Sequence, residues 1–546
     1  MSNVIHAMHI ENKINGSDLI IRTKDINTEY QDYTTDESRM QGTMDGIAFP
    51  QNEEELSAIL SFCKKENLKI TFSGARTGIT GGAVPDSGIV ISFDKMNKIL
   101  GMEYDEKNNI FYIRCQPGVV LADLKKAAKN ADFPGTENWT SESLDILKKF
   151  KASGKFIYAP DPTELSATTG GTVACNASGA RSFKYGPTRG FVYALRAVLE
   201  DGSIISLTRG ENTAKESGSF ILELPDGTKR EGKIPHYKMP DVKNAAGFYA
   251  EQSMDLIDLF IGCEGTLGVI SEVTLRLVPD PGEILGIVAF FKSEADAAGF
   301  VRKARGESGN QAAEKPLSLE YFDDHSLNLL RKHREESGPD SPIPSLPQEA
   351  KFAVYAEWAY TEETFEDTAL SAVELLESSG SSEDTAWTAT EPNEIERIKA
   401  FRHALPEAVN QIIGERRKSF PELTKLGTDM AVPDNDLETI LEYYRKELDN
   451  AGLEYVIFGH IGDNHLHVNI LPKDMDEYRK GKEIYKKFAQ KAVYLGGTVS
   501  AEHGIGKLKR EFLEILYGKE GIDQMREVKK VFDPEGRLNA GNVFEL

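Results

Sequence analysis

Three glycine-rich stretches, each beside a run of strand-forming residues, constrain this chain more than any other feature. The first, SGARTGITGG (73–82), lies between the strand-like LKITF (68–72) and GIVISF (88–93). The second contributes Gly170, Gly171, Asn176 and Gly179, and the third Gly262, Glu264, Gly265 and Gly268. Without a Cβ, glycine lets backbone N–H groups approach a ligand closely, and successive N–H groups turned inward form an anion-binding concavity. The first stretch is not a Walker loop, because no Gly-Lys-Ser/Thr follows it. It is not a Rossmann fingerprint either: that motif passes from strand into helix, and this loop passes from strand to strand. One such loop is as often a plain turn as a binding loop. Three in one region point to a large ligand held against backbone, and a dinucleotide has that size.

A chain of 546 residues exceeds what one hydrophobic core usually supports, so two or three domains are expected. A net charge of −23 argues against a nucleic-acid partner, which would need clustered Lys and Arg, and fits a soluble cytoplasmic protein. The four cysteines (Cys63, Cys115, Cys175, Cys263) are far apart with no CxxC pair, so they read as reduced, buried thiols rather than cluster or zinc ligands. The longest apolar runs, such as EILGIVAFF (283–291), reach strand length only, and no transmembrane span is expected. The N-terminal MSNVIHAMHIENK lacks the basic-then-apolar pattern of a signal peptide. The expected location is the cytoplasm, with peripheral contact to a membrane left open.

Residues 1–40 read as a polar lead-in with one or two short helices. The pattern of Leu56, Ile59, Leu60 and Cys63 predicts an amphipathic helix, and NNIFYIRCQPGV a strand ending in a Pro-Gly turn. YALRAVLEDGSIISL predicts a hairpin turning at Asp201-Gly202. Residues 136–155, polar and Lys-rich, and 209–243, a hairpin followed by a loop, read as insertions. The Pro-Gly stretch at 279–282 marks a domain boundary. Beyond it strands (LGIVAFF, PLSLEYF, KFAVYAEWAY, EYVIFGHI, LHVNIL) alternate with helices over 294–306, 361–378, 392–412, 434–450 and 474–494, with a polar loop at 334–349. This predicts an α+β arrangement, an antiparallel sheet with helices packed on one side.

The histidines carry the chemistry. Three of the ten lie in FGHIGDNHLHVNI (458–470), and His503 follows in SAEHGIGK. The stretch reads as strand, turn, strand, with Gly462, Asp463 and Asn464 in the turn. Alternation puts His465, His467 and Asn469 on one face and Leu466, Val468 and Ile470 in a core. His460 can fold back toward His467, so that two imidazoles share a borderline divalent ion such as Zn²⁺, with Glu502 as third ligand. A single strand histidine is usually satisfied by backbone carbonyls; a cluster met by a Glu-His pair favours the metal.

SGARTGITGGAVP (73–85), YAPDPTELSATTGGTVACNASG (158–179) and GCEGTLGVISEVTLRLVP (262–279), in this order, resemble the FAD-linked oxidases with a flavin domain of the vanillyl-alcohol-oxidase (PCMH) type. The resemblance covers roughly residues 40–546 and is strongest to the branch of D-lactate dehydrogenase, the glycolate oxidase flavin subunit and D-2-hydroxyglutarate dehydrogenase. It implies a two-part FAD-binding domain (41–280), a substrate or cap domain (281–475) and a C-terminal helical segment (476–546) returning to the flavin. FAD would be held non-covalently, because the first loop has neither His nor Cys. The implied contacts are Ser73, Gly74, Ala75, Arg76, Thr77, Gly78, Thr80, Gly81, Gly82, Pro160, Asp161, Gly170, Gly171, Asn176, Gly179, Glu264, Gly265, Gly268, Val269 and Ile270, with Asn539 of VFDPEGRLNAGNVFEL closing the chain back over that domain.

In that branch the patterns GHxGDxNxH and Glu-His-Gly-x-Gly imply His460, His467 and Glu502 as metal ligands and His503 as base. The pattern has Asn where this chain has His465, which leaves open whether His465 touches metal, substrate or neither. Arg402 in FRHALPEAVN resembles the substrate-binding arginine that precedes an Asp-x-x-x-Pro segment, here Asp429 to Pro433; the other reading is a solvated helix arginine. Lys425 and Asn469 complete the substrate-side candidates. The implied activity is oxidation of a D-2-hydroxy acid, D-lactate first: the metal acidifies the hydroxyl, His503 takes its proton, and the hydride passes to flavin N5. No NAD fingerprint or iron–sulfur motif is present, so electrons are expected to leave to a quinone, an electron-transfer flavoprotein or a partner subunit; a homodimer is left open. The alternatives are the glycolate oxidase subunit, D-2-hydroxyglutarate oxidation, a related ether-lipid-forming flavoenzyme, and a non-catalytic FAD- and metal-binding sensor or assembly protein.

Overall fold

Asn52 starts the first long helix by accepting the N–H of Glu55 at 2.9 Å, and Glu53–Lys65 then follows with Leu56, Ile59, Leu60 and Cys63 buried, as their spacing predicts. That face packs on the parallel strands Ile70–Ser73 and Ile89–Ser92, which flank the first glycine loop. The computed structural model describes residues 15–307, 315–338, 341 and 343–546. The expectations for residues 1–14, and for 339, 340 and 342 of the polar loop, fall outside the described residues.

Two larger sheets and two two-stranded ones build the first part among the described residues. The four-stranded one runs Ile20–Ile21, Gly46–Ala48, Ile89–Ser92, Ile70–Ser73, so residues before 41 already belong to it. Its open edge is covered by the C-terminal segment: the Ile70 N–H donates to Arg537 O and the Asn539 N–H to Ile70 O, each at 2.9 Å. An exposed edge invites foreign pairing, and this return of the chain removes it. The antiparallel five-stranded sheet runs Ile99–Asp105, Ile110–Cys115, Val269–Arg276, Val192–Val198, Ile204–Thr208. The last two form the hairpin expected at Asp201-Gly202, where Gly202 has φ +84°.

Both stretches read as insertions are ordered. Residues Ser141–Ala152 form a helix whose Phe150 ring lies 5.1 Å from Phe111 and 5.0 Å from Phe156. Its lysines are a solvated face over an apolar one. In 209–243 the expected hairpin pairs Ser219–Glu223 with Lys229–Lys233, and the chain then runs inward to Lys243.

The second part is an antiparallel eight-stranded sheet. Its order is Trp387–Ala389, Glu283–Phe291, Phe352–Tyr360, Ser318–Phe322, Tyr455–His460, His465–Ile470, Leu426–Gly427, with Met430–Ala431 also pairing onto His465–Ile470. Helices cover both of its faces, which corrects the expectation of one covered side. Ile287, Ala289 and Phe291 share a core with Phe300 and Val301 of helix Glu294–Ala304, while Val288 and Phe290 face helices Asp324–Ser337 and Pro392–Arg417. The continuous apolar run of EILGIVAFF is the signature of a strand buried on both sides. Helix Asp324–Ser337 was hidden because only Leu327 and Leu330 of its apolar residues are buried among charged neighbours. Among the described residues no helix is long and apolar enough to cross a membrane.

Asp258 locks the start of the third glycine stretch. Its carboxylate meets Arg189 and Arg209 at 2.8 Å each, and Arg189 also donates to Ile261 O at 2.6 Å. Burial would raise this carboxyl, but the hydrogen bond from Arg209 and the charges of both arginines outweigh it and hold it below the usual value. Replacing Asp258 by Asn leaves two confined guanidiniums unpaired, and urea unfolding at pH 7 should show a loss of about 3 kcal/mol. A depressed carboxyl contributes stability that is present above its unfolded value, near 4, and lost as pH falls through the folded value. The gap between wild type and Asp258→Asn should therefore close only below about pH 4; a gap unchanged down to pH 2 would show that the carboxylate charge is not its source.

Candidate functional site

The hairpin of Tyr455–His460 and His465–Ile470 turns through Ile461–Asp463, with Asn464 at φ +48°. Arg305 holds the turn, donating to Gly462 O at 3.1 Å and also to Ile461 O and Asn464 Oδ1. His460 stands directly opposite His465, and Phe458 opposite His467. Ring centroids are 5.4 Å apart for His460 and His465, 5.6 Å for His460 and His467, and 4.4 Å for His465 and His467. Leu466, Val468 and Ile470 lie in the core, as alternation predicts. One donor atom from each of His460, His465, His467 and Glu502 lies within 4.8 Å of the others, so these four can hold a metal ion.

Two anchors on the far sides of these rings were not singled out in the sequence. His460 Nδ1 meets Glu320 Oε1 at 2.5 Å, and His467 Nδ1 meets Thr428 O at 3.0 Å. The signal for Glu320 was a lone acid within an apolar strand, because a buried charge needs a partner. Burial lowers His460, but Glu320 and Glu502 more than offset this and raise it to about 9. Burial leaves His465 and His467 below the usual imidazole value, hence neutral with lone pairs to offer. Lys243, at the end of the second insertion, is also unforeseen: its ammonium contacts Glu502 Oε1, Gly179 O at 3.2 Å and Asp463 Oδ2 at 3.4 Å. Burial would raise Glu502, yet the charges of His460 and Lys243 hold it well below the carboxylate range.

Asp429 gathers the loop that carries Glu502 and His503. Its carboxylate accepts Ser500 Oγ at 2.6 Å, Glu502 N at 3.2 Å, His503 N at 3.1 Å and Lys509 Nζ at 2.6 Å, and lies 3.2 Å from His503 Nδ1. With Nδ1 beside Asp429, Nε2 is the ring nitrogen of the half-buried His503 that is left open. The His503 ring sits 5.7 Å from His467.

The same loop is bolted to the glycine stretches. Glu264 accepts Ile505 N at 2.6 Å and Gly506 N at 2.7 Å, while Thr80 O accepts Lys507 N at 2.9 Å. A Cβ on Gly506 (φ +52°) would lie 2.2 Å from Thr80 O. Asn539 bridges Phe72 N at 2.8 Å and Glu264 O at 2.7 Å. The side-chain polar atoms of Glu264 and Asn539 are thus engaged by protein, as clamps between the two regions. Gly268 permits close packing on Phe260, and Val269 and Ile270 are buried in their strand.

The expected cofactor loops fit a dinucleotide. Among the described residues none of the backbone N–H groups of 74–82 donates to a protein acceptor, and a Cβ on Gly78 would meet nothing within 4 Å. Arg76 donates to Ser73 Oγ and Gly74 O at 3.2 and 3.1 Å, shaping this cradle from behind. In the second stretch a Cβ on Gly179 would lie 1.8 Å from Asp161 O and one on Gly170 2.4 Å from Pro117 Cβ, so these glycines serve close backbone approach. Thr168 caps the short helix at Gly171, and Asn176 (φ +47°) accepts Arg189 N at 2.9 Å.

Arg402 is not a solvated helix arginine. Its Nε donates to Glu320 Oε2 at 3.0 Å, so one carboxylate joins Arg402 to His460, and its terminal nitrogens have no protein acceptor among the described residues. Lys425 is exposed, with burial of its surroundings and the nearby Arg39 lowering its pKa, and it makes no contact with the histidine cluster. Asn469 turns its amide back to His467 O at 3.4 Å.

If Glu320 orients His460 for a metal, Glu320→Gln should weaken divalent-ion binding by roughly 10- to 100-fold in competition with a chromophoric chelator. An unchanged affinity would remove that role.

Residues 283–543 match the C-terminal domain of FAD linked oxidases, and residues 44–143 and 137–208 an FAD binding domain. The chain is 30% identical over 504 residues to a D-lactate dehydrogenase of Archaeoglobus fulgidus, covering 91% of this chain and 90% of that one. It is 29% identical over 509 residues to the glycolate oxidase subunit GlcD of Bacillus subtilis, covering 92% and 90%. A solved alkyldihydroxyacetonephosphate synthase has the same fold at a TM-score of 0.58 and 15% identity, covering 96% of this chain and 82% of that one. With the flavin-loop cradle and the histidine cluster joined as described, the chain belongs to the FAD-linked oxidases, as an oxidoreductase of the branch that holds D-lactate dehydrogenase, the GlcD subunit and D-2-hydroxyglutarate dehydrogenase.

Proposed function

We propose that this protein is an FAD- and metal-dependent dehydrogenase that oxidises a D-2-hydroxy acid, D-lactate first, to the 2-oxo acid and hands the electrons to a separate acceptor. The observation that carries this reading is the Asp429–His503 pair standing beside the histidine–glutamate cluster, on a loop tied through Glu264 and Thr80 to the cofactor loops. A sensor or assembly protein has no need of a buried carboxylate that aims an imidazole into such a cluster.

FAD, when bound, supplies the acceptor for the electron pair leaving with the C–H hydrogen, and a divalent ion held by His460, His467 and Glu502 supplies acidification of the substrate hydroxyl. Imidazole and carboxylate donors suit Zn²⁺. His503 Nε2 takes the hydroxyl proton, and Asp429 stabilises the imidazolium that results. The free terminal nitrogens of Arg402 offer a fork for the substrate carboxylate, held in place by Glu320. Lys243 keeps Glu502 ionised and oriented. The absence of an NAD fingerprint or iron–sulfur motif supports a quinone, electron-transfer flavoprotein or partner subunit as acceptor.

One observation favours a dicarboxylate such as D-2-hydroxyglutarate as a second reading. Arg181 donates through Nε to Glu357 Oε2 at 2.9 Å, repeating on the neighbouring strand the pairing of Arg402 with Glu320. Two guanidiniums whose terminal nitrogens have no hydrogen-bond acceptor among the described residues, one contributed by each part of the chain, suit two carboxylates.

Anaerobic visible spectra with D-lactate, L-lactate, glycolate and D-2-hydroxyglutarate decide between these readings. Bleaching of the oxidised flavin by one D-acid is expected; a flavin that none of them bleaches, in protein shown to contain metal, overturns the function. His503→Ala should keep its FAD and slow bleaching by about 10²- to 10⁴-fold, and near-normal turnover would remove His503 as base.

A further inference from the structure

We propose that His465 is a fourth ligand of the divalent ion, so that the site offers three imidazoles and one carboxylate rather than two and one. This rests on the metal-dependent reading above. His465 is wholly buried, and neither ring nitrogen has an aligned hydrogen-bond partner. Such a group is costly unless something else satisfies it. Its Nε2 lies 2.9 Å from Asp429 Oδ1, and its Nδ1 faces Glu502 Oε1 at 3.9 Å.

All three rings obey one rule. His460 and His467 hydrogen-bond through Nδ1 to Glu320 and Thr428 O, and His465 sets Nε2 2.9 Å from Asp429 Oδ1 without hydrogen-bond alignment, so in each ring the other nitrogen is the one left for the cluster. An oxygen on the outer nitrogen is what fixes the tautomer of a metal-bound histidine. Tetrahedral bonds of ~2.1 Å place donor atoms about 3.4 Å apart. The separations from Glu502 Oε1, 3.3 Å to His460 Nε2 and 3.9 Å to His465 Nδ1, lie around that spacing. The competing arrangement, a doubly protonated His465 bridging Asp429 and Glu502, needs a hydrogen bond at both ends, and 3.9 Å is too long for one. Register supplies the reason for the placement: position 465 is directly opposite His460, so its side chain emerges on the same face beside it. Asn at that position could not extend a ring nitrogen into the cluster.

Three imidazoles bias the site toward borderline ions such as Zn²⁺, Fe²⁺ or Co²⁺ and away from Mg²⁺ and Ca²⁺. The test uses chelator-stripped full-length flavoprotein, titrated with Zn²⁺ against a chromophoric chelator and with Co²⁺ by its visible bands. Wild type should bind one ion. His465→Asn, with its FAD retained, should lose affinity by on the order of 100-fold, the upper end of what losing an outer-nitrogen partner costs, and should shift the Co²⁺ bands. Unchanged affinity and an unchanged Co²⁺ spectrum in His465→Asn would overturn the inference and leave the metal-dependent reading standing. Wild-type protein that binds no divalent ion would sink both. Should His465→Asn fail to fold, X-ray absorption on metal-loaded wild type counts the imidazoles directly: three supports the inference and two overturns it.

Discussion

One buried carboxylate organises the centre of this molecule. Asp429 draws in Ser500, Lys509, two backbone N–H groups and two histidines, and in doing so fixes the loop from 500 to 504 against the eight-stranded sheet. Burial alone would raise its pKa; the charges of His503 and Lys509 hold it well below the ordinary range. Within a low-dielectric interior such an anion is tolerable only with its donors in place, so its partners are held in one geometry. The orientation of His503 and the direction in which Glu502 points follow from it.

A second carboxylate does for the glycine stretches what Asp429 does for the histidine cluster. Glu264 grips the N–H groups of Ile505 and Gly506, and Asn539 grips Glu264, so the C-terminal return, the third glycine stretch and the loop that carries His503 form one continuous hydrogen-bonded unit. Ser178 and Lys243, both from the first part of the chain, reach Glu502, and Ser182 reaches Asp463 at 3.0 Å. The donor cluster is therefore assembled across the junction between the two parts. A change in their packing would move His460, His465 and His467 relative to the glycine loops and to the 502–506 loop tied to them.

Much of this was legible in advance. Local rules sufficed for helix Glu53–Lys65, for the hairpins at Asp201-Gly202 and within 209–243, and for the alternation along His465–Ile470, because each depends on neighbours in sequence. The histidines and Glu502 stood out by spacing alone. What failed was information held by distant partners: which faces of EILGIVAFF would be covered, that Arg402 would sit on Glu320, and that Lys243 would travel inward from an apparent insertion.

By itself the amino-acid order determined the periodicities, the turns and the presence of three glycine-rich stretches with a histidine cluster beyond them, since these follow from covalent geometry and side-chain spacing. Only the tertiary structure decided what each polar side chain does. Thr428, Asp429, Glu320 and Lys243 gain their roles because desolvation forces every buried charge and imidazole to find a partner, and those partners come from segments up to 259 residues away along the chain.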